Sequence, residues 1–306
     1  MIPEDYSGLR LDHALAKMYP DYSRARLQKW IKNGDIKING KVLRPKDAIQ
    51  GGESIEIQAI FEDEVMLEPE NIPLNIIHED EQIIVVNKPT GFVVHPGAGN
   101  TDGTMANALL HHYPDIRVVP RVGIVHRLDK DTTGLLVVAK DNKTHTNLVE
   151  QLQQRTVSRK YVALVHGEFI SGGKYVDPIG RHSVDRKKMA VKPSIGREAI
   201  THYRIRKKFT GFTLLDVSLE TGRTHQIRVH MAYHKHPIIG DRIYGRKMNS
   251  GKNELLSLLA AFPRQALHAE QLSFTHPNTQ EEVSFNAPIP DDFQELINAL
   301  DNDHAS

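Results

Sequence analysis

The 306-residue sequence contains no cysteine. Disulfides, thiolate zinc sites and iron–sulfur clusters are thereby excluded, as is any mechanism built on a thiolate nucleophile. Covalent chemistry would have to come from Asp, Glu, Ser, Thr, Lys, Tyr or His. The absence also suits a reducing cytosol. No apolar run approaches the roughly 20 residues of a membrane span, so the chain is not expected to cross a bilayer. Its opening residues, MIPEDYSGLRLDHAL, are acidic early and lack the apolar core of an export signal, which predicts a cytoplasmic location. A strong charge of one sign is missing too, the formal net charge being +1. Any polyanion would have to be attracted by segregated charge rather than by the sum. There is no internal repeat and no low-complexity segment. The turn Pro96-Gly97-Ala98-Gly99 lacks the Gly-Lys-Ser/Thr ending of a P-loop, and no dinucleotide fingerprint, HExxH zinc motif or GxSxG elbow is present.

What is present falls into two parts. In residues 1–58, Leu9, Leu11, Ala14, Leu15 and Met18 follow helical spacing. Ser23 is placed to cap a second helix carrying Leu27, Trp30 and Ile31, which Asn33-Gly34 ends. Ile36 and Ile38 alternate with lysines, Asn39-Gly40 makes a tight turn, Val42-Leu43 resumes, and a last strand follows Gly51-Gly52. The reading is α-α-β-β-β. Residues 59–74 contain Glu62, Asp63, Glu64, Glu68 and Glu70 and no basic residue, and read as an acidic connector that leaves the first module mobile. Residues 75–306 read as strands in clusters: 82–86, 134–140, 160–168, 199–207 and 212–220. Helices are predicted over 144–154, capped by Asp141, and over 224–234. The strands do not alternate strictly with helices, so the fold class is α+β with a mixed, mainly antiparallel sheet.

The densest chemistry lies in GIVHRLDKDTTG, residues 123–134. A polar loop pinned between apolar segments can present a side chain rigidly in a cleft. Asp129 and Asp131 are its carboxylates, with Arg127 and Lys130 beside them to favour ionisation. Taken alone, the same residues would make a solvated turn with surface ion pairs. A second segment, ETGRTHQIRVHM at 220–231, places Arg223 at a helix entrance where Thr224 could cap. His225 and Arg228 are three apart and so share a helix face. His95, His126, His225, His230, His234, His236 and His268 fall near these segments, but no metal-ligand signature links them. Asn87-Lys88-Pro89 with Gly91 reads first as turn chemistry. Basic residues do segregate: Arg24, Arg26, Lys29 and Lys32 lie on the second helix, followed by Lys37, Lys41 and Arg44. A second cluster runs through GRHSVDRKKMAVK (180–192) to Arg204, Arg206, Lys207 and Lys208. Two basic clusters in separate modules favour RNA, because phosphate contacts add.

At HRLDKDTTG the sequence resembles the RluA-type pseudouridine synthases, with Thr133 a mild departure from the family's TSG ending. The resemblance extends to Asn87-Lys88-Pro89-x-Gly91, to Lys160-x-x-x-Leu164 with Tyr161, to GRTHQIRVH and to Leu267-His268-Ala269, covering roughly residues 75–295. Residues 1–58 resemble the S4-type (α-L) RNA-binding domain in RLDHALA and SRARLQKWIKNGDIKING. The resemblance implies a pseudouridine synthase fold and isomerisation of uridine in 23S rRNA or a large-subunit particle, in the loop of helix 69. It implies that Asp129 is the catalytic aspartate and Arg223 the arginine that pairs with it. Tyr161 would be the tyrosine that stacks on the flipped uracil and is proposed to remove its C5 proton. No cofactor or metal is implied. RNA contacts are expected from His126, Arg127, His225, Arg228, Arg24, Arg26, Lys29, Lys32 and Lys37, and the protein is expected to act as a monomer. The rivals are the same chemistry on a different 23S uridine or a tRNA stem-loop, a non-catalytic RNA-binding or ribosome-assembly factor that keeps the fold, and a small-molecule hydrolase using a His–Asp pair. The reaction breaks N1–C1′ and forms C5–C1′ without redox change or group transfer, which accords with the missing cofactor motifs. The base must leave its stack to be reached. Asp129 would attack C1′, attack C6 or remove the C2′ proton, and the residues do not choose among these.

Overall fold

The computed structural model describes residues 1–19, 24–58, 67–97, 99–185, 187–246, 248 and 254–305, with only the backbone of residues 25, 26, 304 and 305. Ser23, the side chain of Arg26, the acidic stretch 59–66, Ala98 and Arg186 lie outside the described residues. The chain divides into two compact units, Met1–Met66 and Leu67–Ser306.

In the first unit, α1 (Leu11–Met18) and α2 (Arg24–Asn33) precede β1 (Ile36–Ile38) and β2 (Ile55–Ile57), which pair antiparallel. Leu11, Ala14, Leu15, Leu27, Trp30 and Ile31 meet Ile36 and Ile38 in one core, as the helical and alternating spacings require. Gly34 ends α2 at φ +83°, a conformation that favours glycine. The strand expected at Val42-Leu43 shrinks to a single bridge between Ile38 and Lys41, because Pro45 and the Arg44–Asp47 turn follow at once. Asp12 is fully buried and accepts from Arg24 Nε (3.0 Å) and Nη2 (2.6 Å) and from Arg10 Nε (3.0 Å). Burial alone would raise its pKa, but hydrogen bonds from Arg24, Gln28 and Arg10 hold it at about 2.

The second unit is built on a nine-stranded sheet. In chain order its elements begin with β3 (Ile76–Glu79), β4 (Ile83–Lys88), α3 (Met105–His112), β5 (Thr133–Ala139), α4 (Asn142–Gln153) and β6 (Ser158–His166). There follow β7 (Gly173–Val176), β8 (Ile179–Arg181), β9 (Met189–Val191), β10 (Ile200–Phe209), β11 (Phe212–Leu219) and α5 (Gln226–Tyr233). The last are α6 (Glu254–Ala261), β12 (Leu267–Thr275), β13 (Glu282–Asn286) and α7 (Asp291–Ala305). The sheet order is β3-β4-β5-β12-β6-β11-β10-β7, with β13 also on β12, while β8 and β9 form a separate hairpin. Every pairing in the large sheet is antiparallel except β5 with β12. The fold is thus α+β with a mixed, mainly antiparallel sheet. Strands β4 and β5 are buried on both faces, which is why they read as continuous apolar runs. Ile84, Val86, Leu136 and Val138 face one core with α3, and Ile83, Val85, Leu135 and Val137 face the other with Leu148 of α4. Asp141 caps α4, its Oδ1 accepting from Thr144 N at 2.8 Å.

The second half of the acidic stretch belongs to this unit. Leu67 packs on the main core, Asn107 Nδ2 donates to Glu68 O (2.8 Å), and Gly103 N donates to Glu70 Oε1 (2.9 Å). Residues 67–74 are therefore tied down near α3 rather than serving as a free connector, because Leu67 and Leu74 supply the apolar contacts that composition alone underweighted.

Candidate active site

The loop before β5 is held from several sides. Thr132 N donates to Asp129 O (3.1 Å), closing a turn, and Gln265 Nε2 donates to Thr132 Oγ1 (3.0 Å). Thr133 Oγ1 lies 2.9 Å from His268 Nδ1, while His268 Nε2 lies 3.2 Å from Ala287 O. A carbonyl can only accept, so Nε2 carries the proton and Nδ1 accepts from the threonine hydroxyl. Gly134, at φ +114°, sits where any Cβ would meet Ala269 O at 2.3 Å. That close approach at the single parallel pairing sets the position of the turn relative to β12.

Lys88, at the end of β4, is fully buried and sits behind this loop. Its Nζ donates to Pro89 O (2.8 Å), Phe92 O (3.0 Å) and Lys130 O (2.8 Å), matching the three N–H groups of an ammonium. Burial pushes its pKa down to about 7, while the carboxylates of Asp131 and Asp129 pull it up. The motif read as a turn is thus a clamp on the Asp129 loop. Lys88→Met would leave three carbonyls without a donor. It is expected to lower stability by about 2–4 kcal/mol and turnover at least about tenfold. Urea unfolding together with single-turnover kinetics would check both, and unchanged turnover would remove Lys88 from the positioning of the loop.

The loop delivers Asp129 to a cavity of about 570 Å³ also lined by His126, Arg159, Tyr161, Arg223 and Arg228. Asp129 Oδ2 accepts from Arg228 Nη1 at 2.8 Å. The same guanidinium grips Asp241 bidentately, Nε to Oδ2 at 2.7 Å and Nη2 to Oδ1 at 2.9 Å. Arg228 therefore bridges a fully buried carboxylate and a cavity-facing one whose side chain is 18% exposed. It also lies over the Tyr244 ring, 5.2 Å from the centroid. Asp241 is fixed by backbone donors from Ile243 (2.9 Å) and Tyr244 (3.0 Å). Burial pushes the Asp241 carboxyl upward, but the hydrogen bonds and charge of Arg228 and those two N–H groups bring it below the usual range. Asp129 Oδ1 accepts no hydrogen bond among the described residues; His225 Nε2 stands 3.8 Å away. Tyr244 Oη accepts from Met189 N (2.7 Å) and lies 2.8 Å from His225 Nδ1. The phenol then donates to Nδ1, and Nε2–H faces the Asp129 carboxylate. Burial pushes the His225 pKa down despite the pull of Asp129.

Arg223 does not pair with Asp129, contrary to what the resemblance implied. Its Nε donates to Glu198 O at 2.9 Å. The cause is local: residues 222–225 form a turn that Gln226 anchors, its Oε1 accepting from Arg223 N (2.9 Å) and its Nε2 donating to Ile200 O (3.0 Å). His225, at φ +57°, occupies the N-cap position expected for Thr224, and α5 begins only at Gln226. Arg223 is thereby turned toward the start of β10, and Arg228, expected to touch RNA, takes the carboxylate instead. Tyr161 on β6 is buried and lines the cavity, its hydroxyl without a hydrogen-bond partner among the described residues. Burial raises its pKa; nearby Arg159 opposes this and Asp129 adds to it, so the phenol stays protonated near neutrality. His126 Nε2 accepts from Val137 N (3.2 Å), and burial with Arg159 nearby pushes its pKa to about 3, so it is neutral and pins β5. Arg127 is exposed at the cavity wall. In the first unit Arg24 is committed to Asp12, while Lys29 and Lys32 are exposed on α2 and Lys37 is half-buried on β1. Lys88, Arg159, Asp241 and Tyr244 were not read as site residues from sequence. Only Lys88 carried a signal, a cation closing a buried strand just before proline. Among the described residues no group of three or more His, Asp or Glu side chains is placed to hold a metal ion, and no helix is long and apolar enough to cross a membrane.

A carboxylate aimed into a pocket by a doubly anchored guanidinium, beside a buried aromatic ring, suits an enzyme acting on a planar base. Residues 82–233 match the RNA pseudouridylate synthase family and residues 9–55 the S4 domain. The chain belongs to the pseudouridine synthase family and is an RNA pseudouridine synthase with an S4 domain. Its relatives include "Ribosomal large subunit pseudouridine synthase D" of Haemophilus ducreyi, 53% identical over 99% of this chain and 94% of that one. The protein of the same name from Escherichia coli strain K12 is 52% identical over 98% and 93%. Among solved structures, human RNA pseudouridylate synthase domain containing 4 superposes with TM-score 0.59 at 26% identity, over 74% of this chain and 93% of that one.

Proposed function

We propose that this protein converts uridine to pseudouridine in 23S rRNA of the large ribosomal subunit, in the loop of helix 69, with Asp129 as the acting carboxylate. The observation that carries this reading is the Arg228 bridge, which holds Asp129 Oδ2 and leaves Oδ1 without a hydrogen bond among the described residues, in the cavity that Tyr161 also lines. A uridine swung out of its stack would enter the cavity with its ring on Tyr161. The protonated phenol favours stacking over removal of the C5 proton, since a phenol that keeps its proton is a poor base. Asp129 would act at C1′, at C6 or on the C2′ proton. The N1–C1′ bond breaks, the base turns, C5–C1′ forms, and a proton leaves C5 while N1 gains one. The relatives' names support ribosomal RNA as substrate, and the exposed lysines of the S4 domain suit phosphate contact. The proposal extends to action in the cytoplasm, on RNA or a large-subunit particle, by a single chain.

The test is mass-spectrometric mapping of pseudouridine in 23S rRNA from cells lacking the gene and from the same cells complemented. Loss at the helix 69 loop, restored by the wild-type gene, is expected. Loss elsewhere would move the target, and an unchanged rRNA map would overturn the reading.

A further inference from the structure

Arg159 is the one catalytic-cavity cation described here that has no carboxylate partner and is also buried. It lies on β6 two residues before Tyr161, on the same strand face, and is only 8% exposed. No acidic side chain stands within ion-pair distance of it among the described residues. Its Nε is buried without a hydrogen-bond partner. Its Nη2 reaches only Leu219 O and Glu220 O, each at the limiting distance of 3.5 Å. Its Nη1 makes no hydrogen bond among the described residues, and the residue lines the cavity of Asp129 and Tyr161. The chain makes room for this group: a Cβ on Gly222 would stand 2.7 Å from Arg159 Nη1. A buried guanidinium left with poor neutral acceptors is costly to the fold unless an anion completes it.

We propose that Arg159 receives a backbone phosphate flanking the flipped uridine, forming a phosphate subsite beside the stacking ring. The inference rests on the function proposed above and names a contact of its substrate. A uracil carbonyl would satisfy N–H groups but would leave the charge uncompensated, whereas a phosphate does both and matches the planar fork. Arg155, Arg197 and Arg223 line the same cavity, and so raise the positive potential there. Glu220 also lines it, but its carboxylate is engaged by His202 (2.6 Å) and Arg155 (3.6 Å). The spacing of two residues along β6, about 7 Å, is on the scale of a base and its own backbone.

The experiment uses the full-length protein and the helix 69 stem-loop RNA. Each phosphate flanking a loop uridine is replaced in turn by a neutral methylphosphonate. The preceding sugar carries 2′-O-methyl, and matched phosphodiester RNAs serve as controls. Affinity is measured against salt for wild type, Arg159→Met and Arg159→Lys. One neutral linkage is expected to weaken wild-type binding about tenfold or more. Arg159→Met should weaken the unmodified RNA by a similar factor, reduce the salt slope by about one, and show no further loss at that linkage. Wild-type affinity in Arg159→Met, or a loss that adds fully to that of every neutral linkage, would overturn the proposal. If Arg159→Met does not fold, wild type and Arg159→Lys decide: the same linkage must carry a smaller penalty in the lysine variant, and equal penalties overturn it. Turnover of the unmodified RNA by wild type is followed in parallel. Its absence counts against the proposed function, while the linkage effect, read from binding alone, judges Arg159 separately.

Discussion

Asp129→Asn is expected to reduce pseudouridine formation at least about 10⁴-fold while RNA affinity stays within about threefold. The amide keeps the shape of the carboxylate, and its oxygen can still accept from Arg228 Nη1, so the loop pinned by Lys88, Gln265 and His268 keeps its place. What is lost is the charge at Oδ1, the atom that accepts no hydrogen bond among the described residues and would serve as nucleophile or base. Carbodiimide–primer extension on the rRNA reads the product, and filter binding reads the complex. Isomerisation at a wild-type rate in this variant would remove Asp129 from its role, and a large loss of affinity would turn it into a binding residue.

Arg228→Met is expected to harm fold and turnover together. Its removal leaves Asp241 fully buried without its cation, a loss of about 3–5 kcal/mol, and lets Asp129 drift, lowering turnover by roughly 10²–10³. Arg228→Lys should rescue little, since one ammonium cannot grip Asp241 bidentately while reaching Asp129. The pH dependence has a defined sign. In the wild type the Asp241 carboxyl is held below its usual range, so its contribution to stability is complete above about pH 4 and is lost as pH falls through the folded value. Without Arg228, burial is the main remaining influence and raises that pKa above its unfolded value. The variant should then lose stability as pH rises from about 4 until the raised value is passed. Urea unfolding of both proteins from pH 4 to 8 measures this. A stability gap between them that does not widen as pH rises from 4 would contradict the bridging role of Arg228.

The central strands could be read from composition because burial on both faces leaves apolar runs at β4, β5 and β6. The cap of α4 was legible because a capping carboxylate acts three residues away. Asp129 could be singled out because its loop is one contiguous motif that resembles a family signature, and it does line the cavity. Among the expectations that the structure revises, two concern local geometry. The sequence places Thr224 as the cap of α5, but Gln226 holds the turn from inside the helix and His225 takes the cap position. Residues 67–74 read as connector, because charge counts do not show that Leu67 and Leu74 pack on the core.

The amino-acid order by itself pointed to an α+β RNA enzyme with a small basic module, no thiol chemistry and one candidate aspartate. The fold class, the basic module and the missing thiols follow from composition and periodicity, while the RNA enzyme and its aspartate were legible only through contiguous motifs that resemble a known family. Only the tertiary structure decided which arginine meets that aspartate, because Arg223 and Arg228 are separated by a turn whose direction depends on Gln226 reaching β10. It alone brought Asp241 behind Arg228 and set Lys88 beneath a loop 42 positions away. Those choices arise from packing between distant segments, where a buried charge must find its partner in space whatever the separation along the chain.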